Sequence, residues 1–151
     1  MKKRLLLLLL FPVMYFASCS KDSDATPTVN QQSKIKGTWK ETSSKYEYFN
    51  ASGTKIYEET VSLGTITFDG ASTVTAVYDG EAQKGSYSLT KEGSLDFLIF
   101  TDGTETRKYN IASLTSTNMS LTLETLNDFY YVGSVKKTAA KSILSSSLLK
   151  N

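Results

Sequence analysis

Alternation of apolar and polar side chains with a period of two is the feature that most constrains this 151-residue chain. In "TITFDG", Ile66 and Phe68 alternate with threonines, and "STVTAVYDG" repeats the pattern with Val74, Ala76 and Tyr78. The stretches "KGSYSLT" and "MSLTLET" also alternate. This pattern is typical of antiparallel strands with one buried and one solvated face.

Asp-Gly pairs at 69–70, 79–80 and 102–103 separate several of these runs. They suit the positive φ angles of tight hairpin turns, and they lack the Asp-x-Asp-x-Asp-Gly spacing of a calcium loop. An all-β fold follows, an antiparallel up-and-down meander of eight or nine strands that closes into a barrel and so removes its exposed edges. The predicted strands span roughly 37–49, 54–62, 64–69, 72–79, 84–91, 94–101, 104–111, 118–126 and 128–137.

Residues 1–18 have the layout of a secretory signal peptide. Three basic residues precede an apolar run from Leu5 to Phe16, which is short for a bilayer span, and Ala17 and Ser18 follow it. Removing this leader leaves 14 basic and 15 acidic side chains, so the formal charge changes from +2 to −1. A chain with this balance lacks the basic face that nucleic-acid binding needs.

The chain has one cysteine, Cys19, directly after the leader. A secreted chain with one cysteine cannot form an internal disulfide, which leaves an intermolecular bond, a free thiol or a modification. Phe16-Ala17-Ser18-Cys19 resembles the lipobox of bacterial lipoproteins. The resemblance implies cleavage before Cys19 and lipid on its sulfur, so that the protein meets the membrane through this anchor. The alternative is an ordinary signal peptide with an incidental cysteine.

Residues 19–34 are polar, and we expect a flexible tether. Asp22 and Asp24 resemble the surface-export signals of some diderm bacteria, which implies an outer-membrane lipoprotein exposed at the cell surface. A periplasm-facing anchor is the alternative. The barrel is expected over 35–137. Residues 138–151 are expected to form a tail or a short helix, because their apolar residues have helix-like spacing.

The barrel region opens with "IKGTW", in which Gly37, Thr38 and Trp39 resemble the Gly-x-Trp signature of the lipocalin superfamily. The wider pattern resembles the lipocalin-like domains of small bacterial lipoproteins. The resemblance implies that Gly37 allows a tight turn and that Trp39 closes the barrel floor. It also implies an arginine packed over the tryptophan, for which Arg107 is the candidate. Alternatively, Arg107 is solvated and pairs with an acid such as Glu105.

The residues that commonly carry catalysis are missing. The chain has no histidine, which removes the commonest general base and metal ligand. No Gly-x-Ser-x-Gly motif or Gly-rich phosphate loop occurs. Glu58 and Glu59 are neighbours on a strand and so point to opposite faces. We therefore expect a protein that is not an enzyme and uses no cofactor or metal.

Binding is the expected role, with two kinds of partner. The first is a small apolar ligand inside the barrel, which has about room for one. The candidate pocket residues, which equally suit a packed core, are Trp39, Phe68, Tyr78, Tyr87, Phe97, Tyr109 and Leu121.

The second kind of partner is a protein or glycan that binds exposed tyrosines. "KYEYF" and "DFYY" carry the candidates Tyr46, Tyr48, Tyr130 and Tyr131. Tyrosine suits interfaces because its ring is apolar and its tip is polar. The alternative is that these residues form cross-strand pairs that stabilise the sheet.

Overall fold

The computed structural model describes residues 29–151. The predicted leader, Cys19 and residues 19–28 of the tether lie outside this range. Within it, one short helix, α1 (Val29–Ile35), precedes the strands, and no helix in the described range has the length and apolar character needed to cross a bilayer.

An antiparallel barrel accounts for most of the described chain. The strands are β1 (Gly37–Phe49), β2 (Lys55–Thr60), β3 (Thr65–Phe68), β4 (Thr73–Tyr78), β5 (Glu81–Glu92), β6 (Leu95–Asp102), β7 (Glu105–Leu114), β8 (Asn118–Leu126), β9 (Phe129–Val132), β10 (Val135–Thr138) and β11 (Lys141–Lys150). Eight of them, β1, β3 to β8 and β11, pair in sequence order, and β11 pairs back to β1 to close the barrel. This confirms the predicted all-β fold and is consistent with a lipocalin-like barrel.

Strand β1 is long enough to pair with two strands along one of its edges. Its first residues pair with β3, where Gly37 lies opposite Phe68. Its last residues pair with β2, where Lys45 lies opposite Thr60. The pairing is interrupted over residues 61–64, so β2 is an extra strand that continues the line of β3 past the interruption.

The expected C-terminal tail or short helix is wrong, because this segment is strand β11. It pairs with β1 along one edge and with β8 along the other, so both sides of its backbone are hydrogen-bonded. The barrel therefore extends to Lys150 and not to residue 137.

Two other boundaries differ from the expectation. Residues 29–34, assigned to the tether, belong to α1. The last predicted strand, 128–137, is instead the two-stranded hairpin β9–β10, which forms a sheet of its own.

The main core lies at the end of the barrel that α1 covers, which we call the closed end. Ile35 and Trp39 are fully buried there, and Trp39 Nε1 donates a 2.7 Å hydrogen bond to the carbonyl oxygen of Ile35. The other buried members of this core are Phe68, Val74, Tyr87, Leu89, Leu98, Ile111, Met119, Leu121 and Leu148.

Candidate ligand-binding cavity

The barrel interior contains a cavity of about 80 Å³. Its walls are mainly apolar, and they are formed by Ile66, Phe68, Val74, Ala76, Leu98, Phe100, Leu121 and Leu144. Six polar or amphipathic residues complete the lining: Glu41, Tyr78, Gln83, Arg107, Tyr109 and Ser146. Gln83 and Arg107 are exposed and lie near the turns at 79–80 and 103–104. We call this end of the barrel the open end.

Glu41 is the buried acid of the cavity, with 4 % of its surface exposed. Its Oε2 accepts a 3.0 Å hydrogen bond from the backbone N–H of Gly64. Its Oε1 lies 3.0 Å from Ser44 Oγ, which lies 2.7 Å from Ser146 Oγ. The carboxylate is therefore held in place by neutral partners.

The interruption between β2 and β3 explains why an acid stands at this position. The Gly64 N–H lies opposite a bulge in β1, between Glu41 and Ser43, where the register against β11 shifts. The backbone N–H of Glu41 donates to the Gly64 carbonyl at 3.0 Å, and the Glu41 carboxylate accepts the N–H of Gly64. An unpaired buried N–H is costly, so this side chain stabilises the interrupted ladder.

Glycine is required at position 64 because of its neighbours. A Cβ there would lie 2.4 Å from the carbonyl oxygen of Val77 and 2.6 Å from the Tyr78 ring. The Tyr78 ring therefore packs directly on the backbone at the interruption. Burial raises the pKa of the Tyr78 hydroxyl, and the nearby charge of Glu41 raises it further.

Tyr109 and Arg107 are both part of the polar lining of the cavity, where Arg107 is exposed and Tyr109 is half-buried. Burial is the main cause that raises the pKa of Tyr109, and the Arg107 guanidinium opposes this rise. Arg107 Nη2 also donates to Glu105 Oε2, at the exposed rim. The guanidinium is therefore paired with a carboxylate on its own strand.

Most of the predicted pocket residues do lie inside the barrel. Phe68, Tyr78, Tyr109 and Leu121 line the cavity, whereas Trp39 and Tyr87 pack in the closed-end core without lining it.

Phe97 is placed differently from the prediction, on the outer face of the barrel. There Lys108 Nζ lies 4.2 Å from its ring centroid. The run "SLDFLIF" is apolar at both parities, so its alternation does not indicate which face turns inward, and the inward residues are Leu98 and Phe100.

The contact between Arg107 and Trp39 that the resemblance implies is not formed, and the alternative pairing of Arg107 with Glu105 is found. Gly37 and Trp39 lie at the closed end, as the resemblance implies for the barrel floor, whereas Arg107 lies at the open end and pairs with Glu105. The cation over Trp39 is Lys150, whose Nζ lies 5.1 Å from the ring centroid. The same Nζ donates a 2.8 Å hydrogen bond to the Lys34 carbonyl, near the C-terminus of α1.

The four predicted surface tyrosines do not form one exposed patch. Tyr48 and Tyr130 are buried, Tyr46 is half-buried, and only Tyr131 is exposed, at 50 %. Tyr46, Tyr48 and Tyr130 join Tyr57 in a packed group that we call the tyrosine cluster. The Tyr57 and Tyr130 rings stack 4.7 Å apart, and Tyr48 lies directly opposite Tyr57 on the neighbouring strand. The cross-strand alternative therefore describes Tyr46, Tyr48 and Tyr130 better than the surface patch.

The prediction missed three polar residues of the interior, Glu41, Ser44 and Ser146. A prediction based on hydropathy alone places charged and hydroxyl side chains on the solvent-facing side of a strand. One signal pointed to Glu41: it lies two residues after Trp39, so both side chains occupy the same face of β1.

Comparisons with known proteins identify no relative of this chain. Neither a protein-family model nor a curated protein nor a solved structure matches the chain. Within residues 29–151, no group of three or more acidic, histidine or cysteine side chains is arranged to hold a metal ion.

Proposed function

We propose that this protein is a lipid-anchored envelope protein that acts by binding and whose barrel holds a small apolar ligand. The observation that carries the proposal is the cavity. A closed barrel can be filled completely by its own side chains, yet here a space remains between the closed-end core and the open end. Apolar walls with a few convergent polar groups are typical of small-molecule sites.

The anchor in this proposal is lipid on Cys19, with the protein in the outer membrane and exposed at the cell surface. It is supported by the lipobox-like "FASC" and by the acids that follow. Two or three acyl chains on one residue give stable membrane attachment, whereas one chain holds only marginally.

The anchor is tested by Cys19→Ser in the native host. We expect wild-type protein in the membrane fraction, carrying acyl chains by mass spectrometry, and we expect Cys19→Ser to lose both. Protease added to whole cells should degrade the wild-type protein if it faces outward. Unmodified Cys19 in mature wild-type protein would contradict the anchor.

The ligand is tested by native mass spectrometry of the mature protein purified from its host. A reproducible additional mass on the protein is expected. Ala76→Leu should remove that mass, because Ala76 lines the cavity and is 7 % exposed. The matched control is Ala82→Leu, since Ala82 is exposed on the neighbouring strand β5.

The outcomes separate the two binding roles that the sequence predicts. Loss of the guest in Ala76→Leu but not in Ala82→Leu places the ligand in the barrel. A bare protein mass in every preparation argues against a held ligand. It favours the alternative, in which a protein or glycan contacts exposed aromatic residues such as Tyr131 and Phe129.

A further inference from the structure

We propose that the otherwise apolar ligand of the barrel carries one cationic amine head group and that this group pairs with Glu41. This inference rests on the proposed function and specifies the chemistry of the same cavity. It follows from three features of the interior: the lack of a cationic partner for the buried Glu41, the pairing of Arg107, and the size and aromatic character of the walls.

The first feature is a buried carboxylate without a cation. A buried charge is costly unless it is paired and hydrogen-bonded. Among residues 29–151, no lysine or arginine nitrogen lies within 4.0 Å of the Glu41 carboxylate. Its hydrogen-bond donors are a backbone N–H and a serine hydroxyl, both of which are neutral.

The carboxylate still has room for another donor. Two carboxylate oxygens offer about four acceptor positions. The Gly64 N–H occupies one on Oε2, and Ser44 occupies one on Oε1. Tyr78 also interacts with this side chain. Glu41 can therefore keep its structural bonds and still accept a hydrogen bond from a ligand in the cavity.

The second feature is that the cation of the cavity wall is already paired. The Arg107 guanidinium donates to Glu105 at the rim, and 47 % of the Arg107 side chain is exposed. These two charges offset each other at the entrance. Glu41 is left in the interior without a cationic partner, so the cavity favours a cation over an anion.

The third feature is the fit of a compact head group. Phe68, Phe100, Tyr78 and Tyr109 line the cavity, and the face of an aromatic ring attracts a cation. A cavity of about 150 Å³ holds benzene, whereas this one measures about 80 Å³. It therefore suits an ammonium or methylammonium group, with the rest of the ligand leaving through the open end.

The test compares three probes that share one alkyl chain and differ in charge. Binding of butylamine, 1-butanol and butyrate to the full chain is measured by isothermal titration calorimetry at pH 7. We expect butylamine to bind at least tenfold more tightly than 1-butanol and butyrate to bind most weakly. A charge-assisted hydrogen bond is worth about 1.5–3 kcal/mol, which corresponds to roughly a 10- to 150-fold difference.

Glu41→Gln tests the residue itself. We expect it to weaken butylamine binding about tenfold or more and to change 1-butanol binding less than twofold. Glu124→Gln is the matched control, because Glu124 is exposed on the outer face and pairs with Lys141. It should leave the affinities of all three probes unchanged.

The outcomes distinguish this inference from the proposed function. Equal affinity for the amine and the alcohol overturns the inference. If Ala76→Leu nevertheless abolishes that binding, the proposed cavity stands. No binding of any probe, together with a bare native mass, overturns both. If Glu41→Gln does not fold, the amine-to-alcohol ratio of the wild-type protein decides alone.

Discussion

The two ends of the barrel use the same eight strands for different purposes. At the closed end, helix α1 covers Trp39. The indole N–H donates to the Ile35 carbonyl, and the Lys150 ammonium donates to the Lys34 carbonyl. Toward the open end, the interior contains Glu41, two tyrosines and a cavity of about 80 Å³. The closed end therefore resembles a protein core, whereas the open end resembles a binding site.

This difference indicates that the closed end contributes most to the stability of the barrel, whereas the cavity and the buried Glu41 lower it. Close packing of apolar side chains is the main favourable term in folding. A cavity and a buried carboxylate both oppose it. Substitutions at the closed end should therefore affect mainly stability, and substitutions at the open end mainly binding.

The largest effect is expected for Trp39→Ala at the closed end. The substitution removes a fully buried side chain and leaves the Ile35 carbonyl without its indole donor. Loss of a buried tryptophan lowers the free energy of unfolding by about 3–5 kcal/mol. Urea denaturation followed by circular dichroism measures it. Phe129→Ala is the control, because Phe129 is 45 % exposed and should lose about 1 kcal/mol or less. Equal losses would contradict the assignment of the core to the closed end.

The next effect compares two adjacent tyrosines of the hairpin. Tyr130 contacts Tyr48 and Tyr57 in the tyrosine cluster, whereas Tyr131 is half exposed. We expect Tyr130→Ala to lower the free energy of unfolding by about 2–3 kcal/mol and Tyr131→Ala to change it by less than about 0.5 kcal/mol. Hydrogen exchange should show faster exchange in β9 and β10 for Tyr130→Ala. If both variants behave alike, the hairpin does not dock through Tyr130.

The sequence was sufficient to predict those strands in which apolar residues occupy the inward face and mostly polar residues the outward face. In β3 and β4 the inward residues are apolar and the outward ones are threonines except Val77, so the runs around Phe68 and Val74 have nearly the predicted bounds. In β6 both parities are apolar, so the strand was predicted but its inward face was not. Alternation identifies a strand only while one face remains apolar.

Strand β11 shows why the candidate site was harder to predict than the fold. Its inward positions alternate Ser142, Leu144, Ser146 and Leu148. Ser146 contacts Ser44 beside the cavity, and Ser142 donates to Asp128. These inward hydroxyls are hydrogen-bonded, so serine can occupy buried positions of β11. As a result, the inward face of β11 is not uniformly apolar, and the alternation that would identify a strand is absent from its sequence. The sequence does not show which distant group will satisfy a buried serine.

A smaller effect is expected at alkaline pH, from Tyr78 in the cavity and Tyr48 in the tyrosine cluster. Burial raises the pKa of Tyr48 and Tyr78 above the ordinary value of about 10. The unfolded chain therefore releases these protons at lower pH than the folded protein does. The contribution of these two tyrosines to the free energy of unfolding should be fully present below about pH 10 and should decline as the pH rises above it. Denaturation at pH 8 to 11.5 measures the decline, and Tyr78→Phe should make it shallower. An equal decline in Tyr78→Phe would contradict the contribution of Tyr78.

The smallest effects compare the two cations, one at each end. Lys150→Ala removes the ammonium near Trp39 and its bond to the Lys34 carbonyl. It should lower the free energy of unfolding by about 1 kcal/mol and shift the tryptophan fluorescence. Arg107→Ala removes a rim side chain whose ion pair is exposed, so it should change stability by about 0.5 kcal/mol or less. The fluorescence of Trp39 should not change in this variant. A fluorescence shift in Arg107→Ala but not in Lys150→Ala would mean that the arginine covers Trp39, as in the lipocalin signature.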